Sequence, residues 1–482
     1  MRIVFVLSTI ITGFYGWRLF RLFGGRLYAL VGAVLLQGAP MIVWLFYYHN
    51  AFPWAVGFAA LVALTYCVLR PRAFERWIDL AASLAIAALV LTHILSGFMA
   101  LLCFSCGLMY LCFVRRFQRG ACNALSWLLS AGFAFALSAF YLVPAFGSMH
   151  LISPAYLTTS PLYRGAFAFP TITGISRFSF QWIVPTLVLL GVVAATWHAY
   201  QPKDLSDRLG GALLLMLAIS WASLFMASEL SYPLWLIDNT PLRIVQFPFR
   251  FIYITSATGL VANLLALRDA EWRRLDWLHK AVVVIPLALI PTATGLISAK
   301  MIFVDGEPHH LSVDEAIPYP GWANNQLKGE HEEEYSRAGG LAAECAEIQL
   351  FCRKIERNSR SQIWEVSGER PAHLRLPLPA FPAWQLTIDG RSVPYTADPA
   401  SGLISVELPA GTHRVTASWN RLAVERAGLG ITSFAVLALA ILAWGQGFFN
   451  PTRRQPRSWD SHRARQELRG AHRASERDEA QI

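Results

Sequence analysis

Charged side chains are scarce in this chain. Only 15% of its 482 residues are Asp, Glu, Lys or Arg, against 55% that are hydrophobic, whereas a water-soluble domain carries about a quarter charged residues. That deficit excludes a soluble globular protein and leaves a polytopic membrane protein. Three motifs are missing as well. There is no glycine-rich phosphate loop, no Gly-x-Ser-x-Gly elbow and no His-Glu-x-x-His, which argues against ATP-driven transport and the common hydrolases. The apolar runs hold few ionisable residues, which sets a transporter well behind other readings. Cysteine is sparse too, seven in all. Cys103, Cys106 and Cys112 share one apolar run, and although Cys103-x-x-Cys106 has the spacing of a metal pair, no His or acid joins them, so packing is their reading.

What the chain does have is long apolar runs bracketed by arginine. The run 78–114 has hardly a charge and is about 37 residues long, too many for one crossing of roughly 20 and right for two short helices with a turn between them. His93, Ser96 and Gly97 supply that turn. Lys and Arg collect on the cytoplasmic side, so Arg76 on one flank and Arg115 and Arg116 on the other put both ends of the hairpin inside. His93 then lies near the outer surface. The same rule predicts spans over 3–17, 27–47, 51–69, the hairpin, 121–143, 181–200, 209–227, 248–267, 281–299 and 427–447, about eleven crossings with the N-terminus outside and the C-terminus inside. Much of the net charge of +10 falls in the cytoplasmic loops and tail, where it orients helices and meets anionic membrane lipid. This placement argues against nucleic acid as a partner.

Composition divides the chain into a polytopic membrane domain (1–300), an acidic, partly helical extracytoplasmic segment (301–360), an extracytoplasmic β-domain (361–421), a last transmembrane helix (422–448) and a basic tail (449–482) predicted to be disordered. The β-domain is read from alternation in "SQIWEV", "AHLRLPL", "AWQLTIDG", "GLISVEL" and "THRVTASW", with Asp389-Gly390 and Ala410-Gly411 as turns. A small antiparallel β-sandwich set just before the last helix is the expected result. Cys345 and Cys352 fall on the outer, oxidising side of this topology. A disulfide forms between them if their segment bends, because a straight helix would hold them roughly 10 Å apart.

The stretches "FPAWQLTIDGRSVP", "SGLISVELPAGTHRVTASW" and "GLGITSFAVLALAILAW", with "RLFGGRLYALVGAVLL", "LTHILSGFMALL" and "LRIVQFPFRFIYI" upstream, give the chain a family likeness over nearly its whole length. It resembles the YfhO-like, 6-pyruvoyl-tetrahydropterin-synthase-related bacterial membrane proteins. The resemblance implies a membrane part of GT-C glycosyltransferase architecture in the bacterial cytoplasmic (inner) membrane. It also implies transfer of a sugar from a polyprenyl-phosphate donor to a cell-envelope glycan acceptor at the outer face. The pattern departs at the start: the chain begins inside what looks like the family's second helix, and residues 3–17 offer only about 15 apolar positions. The expectation is a chain started late, without the first outer loop whose carboxylate serves as general base or metal partner.

The remaining residues nominate a site. A donor phosphate needs cations at the outer interface, and Arg243 and Arg250 flank Gln246-Phe247-Pro248-Phe249 at the start of an inward helix. Proline suits a first turn, and free N–H groups there favour an anion. Interfacial anchoring by the same arginines is the alternative. His93 either hydrogen-bonds a phosphate or acceptor hydroxyl, or caps the hairpin turn beside Thr92 and Ser96. Glu229 and Asp238 are the fallback catalytic acids, able to act as base or to hold a divalent metal ion, with plain solvation as the alternative. Arg164 and Arg177 bracket the outer loop 144–180 and are secondary substrate contacts. Two functions of different class follow: a GT-C-type glycosyltransferase, inactive as given if the acidic loop is required, or a non-catalytic scaffold or binding protein for envelope polysaccharide assembly.

Overall fold

The computed structural model describes residues 2–39, 52–71, 73–114, 120–149, 167, 183–200, 208–237, 242–245, 248–268, 345, 348, 350–358, 360–398 and 402–445, with single positions between 277 and 289. Among the described residues ten longer helices come first: α1 (Arg2–Arg21), α2 (Arg26–Gln37), α3 (Phe52–Leu69), α4 (Leu80–Thr92), α5 (Ile94–Val114), α6 (Gly120–Leu137), α7 (Ala139–Gly147), α8 (Ile183–Tyr200), α9 (Arg208–Ala227) and α10 (Ile252–Arg268). Eight strands and a last helix, α11 (Ala423–Gly445), follow. Among the described residues four helical segments, Ile94–Leu111, Leu209–Ala227, Pro248–Arg268 and Ala423–Gly445, are long and apolar enough to cross a membrane. A fifth is the bent pair α6 and α7, and four shorter apolar helices accompany them. Large apolar side chains such as Ile3, Ile10, Phe14, Leu27, Met109 and Leu128 face outward, as they do where the surroundings are lipid rather than water. This is a helical membrane protein with a small β-region near its C-terminus.

Helix α10 is the centre of the helical part. Every residue from Ile252 to Ala266 is buried, so its polar side chains turn to partners within the protein, although Thr255 Oγ1 has none among the described residues. Ser256 donates to the Ile252 carbonyl at 2.8 Å, Thr258 to Ile254 at 3.1 Å and Asn263 to Gly259 at 3.1 Å. Ser220 of α9 meets Thr258 at 2.8 Å, and Ser223 donates to the Phe251 carbonyl. At the other end, the Tyr28 hydroxyl donates to the Leu264 carbonyl at 2.6 Å and Arg268 Nε to that of Phe23 at 3.1 Å. Helix α10 is thereby fixed at both ends against different neighbours.

The hairpin 78–114 turns where expected, and more tightly. A single extended residue, His93 (φ −159°, ψ 101°), separates α4 from α5. Seven residues of unbroken helix would keep Val90 and Gly97 about 10 Å apart, yet a Cβ on Gly97 would lie 2.6 Å from Val90 Cγ2 and 3.0 Å from its Cα. Only glycine lets the two backbones pass so closely. At the far end of α4, Asp79 caps the helix by accepting from Ala82 N–H at 3.1 Å, pairs with Arg70, accepts from Phe74 N–H at 3.4 Å and donates its own N–H to Ser130 at 2.8 Å. Phe74 sits at φ 59° inside this turn.

Two expectations are corrected. The predicted span 121–143 is broken between α6 and α7, which meet at 79°. Thr432 supplies the reason: its hydroxyl accepts from Phe140 N–H at 2.9 Å and donates to the Ala136 carbonyl at 3.2 Å, satisfying backbone groups that a break orphans. The β-region also begins earlier than 361, because residues 351–357, read as part of a helical segment, form strand β1 against β2. The spans 181–200, 209–227 and 248–267 match α8, α9 and α10 closely. Most of 269–344, and the tail, lie outside the described residues.

The strands are β1 (Phe351–Arg357), β2 (Ser361–Gly368), β3 (Ala372–Pro379), β4 (Trp384–Ile388), β5 (Arg391–Val393), β6 (Thr396–Ala397), β7 (Leu403–Leu408) and β8 (Gly411–Trp419). They make an antiparallel five-stranded sheet, β1-β2-β8-β4-β5, and a three-stranded one, β3-β7-β6. Period-two alternation puts Trp364 and Val366, Leu374, Leu376 and Leu378, Leu386 and Ile388, Ile404, Val406 and Leu408, and Val415 and Ala417 into one shared core. Cys345 and Cys352 are joined by a disulfide with Cα atoms 6.0 Å apart. The chain bends between them, Leu350 N–H donating to the Cys345 carbonyl at 2.6 Å before β1 starts.

Candidate functional site

Two of the nominated residues, His93 and Arg250, meet at one ring. Trp54 stands in the first turn of α3 and is buried. The His93 imidazole packs on it with centroids 4.4 Å apart, and the Arg250 guanidinium carbon lies 5.6 Å from the indole centroid. Tyr253 locks the arrangement. Its hydroxyl donates to the Trp54 carbonyl at 2.9 Å, and its ring meets Trp54 edge-on at 5.2 Å. Gly57 makes room for this, because a Cβ there would come 3.0 Å from the Tyr253 hydroxyl and 3.3 Å from Thr92 Oγ1.

Local chemistry fixes each member. His93 is the residue before α5, and its Nδ1 accepts the N–H of Ser96 at 3.1 Å and lies 2.8 Å from the Ser96 hydroxyl. It therefore caps the helix as Ser or Asn does elsewhere. A ring nitrogen that accepts a backbone N–H carries no proton, so the imidazole is the Nε2–H tautomer. Arg250 sits in the short 3-10 turn Pro248–Phe251 that leads into α10. One guanidinium nitrogen donates to the Val245 carbonyl at 2.8 Å, which aims the group along the Trp54 face.

Beside this cluster is an aromatic wall. Trp235, fully buried, meets Phe251 edge-on at 6.2 Å and Phe167 at 6.4 Å, while Phe167 meets Tyr232 at 6.1 Å. Trp235 closes the helical turn Tyr232–Trp235, which follows the 3-10 turn Glu229–Ser231. Glu229 is thus carried on a segment packed beside the turn that holds Arg250, half-exposed and without a hydrogen bond to His93 or Arg250 among the described residues. Arg243 lies in the short helix Leu242–Val245. Asp238, Arg164 and Arg177 lie outside the described residues.

The cluster combines a cation, a neutral imidazole with one N–H, and the faces of several aromatic rings. Such a set takes an anionic group joined to an apolar or ring-shaped body. No three His, Cys, Asp or Glu side chains converge among the described residues. Trp54, Tyr253 and Gly57 escaped the sequence reading, since each acquires its role only when α3 and α10 pack together. Compared with models of protein families, with curated proteins and with solved structures, the chain matches none of them.

Proposed function

We propose that this chain is a GT-C-type membrane glycosyltransferase-like protein that takes a sugar from a polyprenyl-phosphate donor to an envelope glycan acceptor at the outer face of the bacterial cytoplasmic membrane. The observation that carries the reading is the convergence of Arg250 and His93 on Trp54 beside the start of helix α10. Arg250 takes the donor phosphate and His93 Nε2–H a further phosphate oxygen. In transfer, an acceptor hydroxyl attacks the anomeric carbon and the bond to phosphate breaks. The proton goes to a carboxylate, for which Glu229 is the candidate, and the leaving phosphate takes the electron pair of the broken C–O bond, its added charge held by Arg250. Asp238, Arg243, Arg164 and Arg177 remain candidates for contact with the same substrate, as does a divalent metal ion held by the acids.

One observation favours the second reading, a non-catalytic scaffold that binds the lipid-linked glycan. His93 Nδ1 is committed to capping α5, and Glu229 makes no hydrogen bond to His93 or Arg250 among the described residues, so the cluster around Trp54 itself supplies no proton acceptor. Cells carrying Arg250→Ala, His93→Ala or Glu229→Ala separate the two. Lost envelope glycan with all three supports the enzyme, and retained polyprenyl-phosphate binding without turnover in the parent protein supports the scaffold. Unchanged glycans and unchanged binding in every variant would sink both.

A further inference from the structure

At the end of the β-sandwich that runs into α11, half-buried rings that pack against the core lie beside exposed arginines, apart from the cluster around Trp54. Trp419, the last residue of β8, stacks flat on Phe381, centroids 5.3 Å apart and planes within 6°, and Trp384 meets Trp419 edge-on at 5.2 Å. The loop bearing Phe381 is fixed: the Tyr395 hydroxyl donates to the Phe381 carbonyl at 2.8 Å, and Asn420 N–H donates to that of Ala383 at 2.7 Å. Pro382, at the tip of this loop, is exposed.

Basic side chains outnumber acidic ones around the stack. Arg360, Arg421 and Arg426 are exposed. Trp419 N–H donates to the Arg360 carbonyl at 2.8 Å, which places Arg360 beside the stack. The nearby acids are engaged locally, Glu425 accepting from Leu422 N–H at 2.7 Å and Glu356 from the Asn358 amide at 3.0 Å. Helix α11 starts at Ala423, so four residues of chain hold Trp419 within about 14 Å of a helix able to cross a bilayer. Stacked aromatics ringed by arginine at that height are the composition of a headgroup layer, where amphipathic rings and basic side chains both find favourable surroundings.

We propose that this end of the sandwich docks on the surface of the bilayer that α11 crosses. Phe381, Pro382 and Trp419 sit at headgroup level, and Arg360 and Arg421 lie against lipid phosphates. The β-domain is then held at a set height on the membrane instead of swinging from the start of α11. The inference rests on α11 crossing a bilayer and on nothing in the sugar-transfer reading.

The test uses the full chain in vesicles of phosphatidylglycerol and phosphatidylcholine, with Cys67, Cys103, Cys106, Cys112 and Cys122 replaced by Ala. Pro382→Cys carries an environment-sensitive fluorophore, and Ala410→Cys, at the opposite end of β8, carries the same label in a second preparation. A nitroxide on the lipid headgroup quenches the 382 label about threefold or more above the 410 label, while aqueous iodide shows the reverse order. Arg360→Glu with Arg421→Glu brings the 382 label down to the 410 level, with the Cys345–Cys352 disulfide still formed as evidence of folding. Equal quenching at 382 and 410, or a 382 label open to iodide and indifferent to the lipid nitroxide, overturns the proposal. Quenching unmoved by the two charge reversals, or equal in pure phosphatidylcholine, overturns the role given to the arginines.

Discussion

Arg250 and His93 share the indole of Trp54, one 5.6 Å from its centroid and the other 4.4 Å. Three separate elements are needed to build that contact: the turn before α10, the first turn of α3 and the single-residue break between α4 and α5. The ring is the common surface, and the Tyr253 hydroxyl on the Trp54 carbonyl keeps it in place.

The first prediction concerns that ring. A partly desolvated cation–π contact is worth about 0.5–2 kcal/mol, so Trp54→Ala weakens binding of a short-chain polyprenyl phosphate by roughly 2- to 30-fold, and Trp54→Phe recovers most of it. Titration of the detergent-solubilised protein measures this. An affinity unchanged in Trp54→Ala removes Trp54 from the binding surface.

Much of this architecture is legible in the sequence, for reasons that differ by region. The turn at His93 follows from length alone, because 37 residues between Ile78 and Val114 are too many for one crossing. Strands β2, β3, β4, β7 and β8 follow from alternation. Strand β1 does not, since "FCRKIER" takes its conformation from pairing with β2 through Cys352↔Val366 and Arg353↔Glu365. Nor does the break at Ser138, which is stabilised by Thr432 from the other end of the chain. Arg250 and His93 stand out as lone polar groups in apolar runs. Trp54 and Tyr253 do not, because aromatic residues are common there and only tertiary packing separates these two from the rest.

Asp79 carries the second prediction. It pairs with Arg70 while only 4% of its side chain is exposed, and losing one partner of a buried pair costs about 3–5 kcal/mol. Asp79→Asn keeps a good cap for α4 and removes the charge, so a loss of about 3 kcal/mol is expected, Arg70 retaining 28% exposure. Arg70→Met added to Asp79→Asn restores most of it. Thermal unfolding in detergent reads both, and an unshifted midpoint in Asp79→Asn contradicts the assignment.

The turn between β4 and β5 supplies a pH dependence. Asp389 accepts Arg414 N–H at 2.8 Å and His413 Nδ1 at 2.7 Å. The Arg414 N–H first, and His413 second, hold the carboxyl below its ordinary 3.8. The same carboxylate holds His413 above its ordinary 6.5. Stability from His413 is complete below 6.5 and is lost as pH rises through its raised value. Stability from Asp389 is complete above 3.8 and is lost as pH falls through its lowered value. Exchange protection of β4 and β8, corrected for intrinsic rate, should therefore be greatest between about pH 4 and 6.5. His413→Gln abolishes the high-pH fall and leaves the acid fall, which depends mainly on Arg414 N–H. A high-pH fall that survives in His413→Gln assigns it elsewhere.

The disulfide bears on orientation as well as on stability. It ties Cys345 to the first strand through a loop of seven residues, and a closed loop this short is worth about 2–3 kcal/mol by chain entropy. Replacing both cysteines by Ser should lower the unfolding midpoint of the β-domain and speed its proteolysis, with the spans around α10 unaffected. A disulfide of this kind persists only where the compartment is oxidising. If the β-domain faces outward, cells quenched at harvest with a membrane-permeant maleimide leave Cys345 and Cys352 unlabelled until a reductant is added. Quantitative labelling without reductant would place the domain on the reducing side, and a site beside the start of α10 served by an outer-face donor would lose its topological basis.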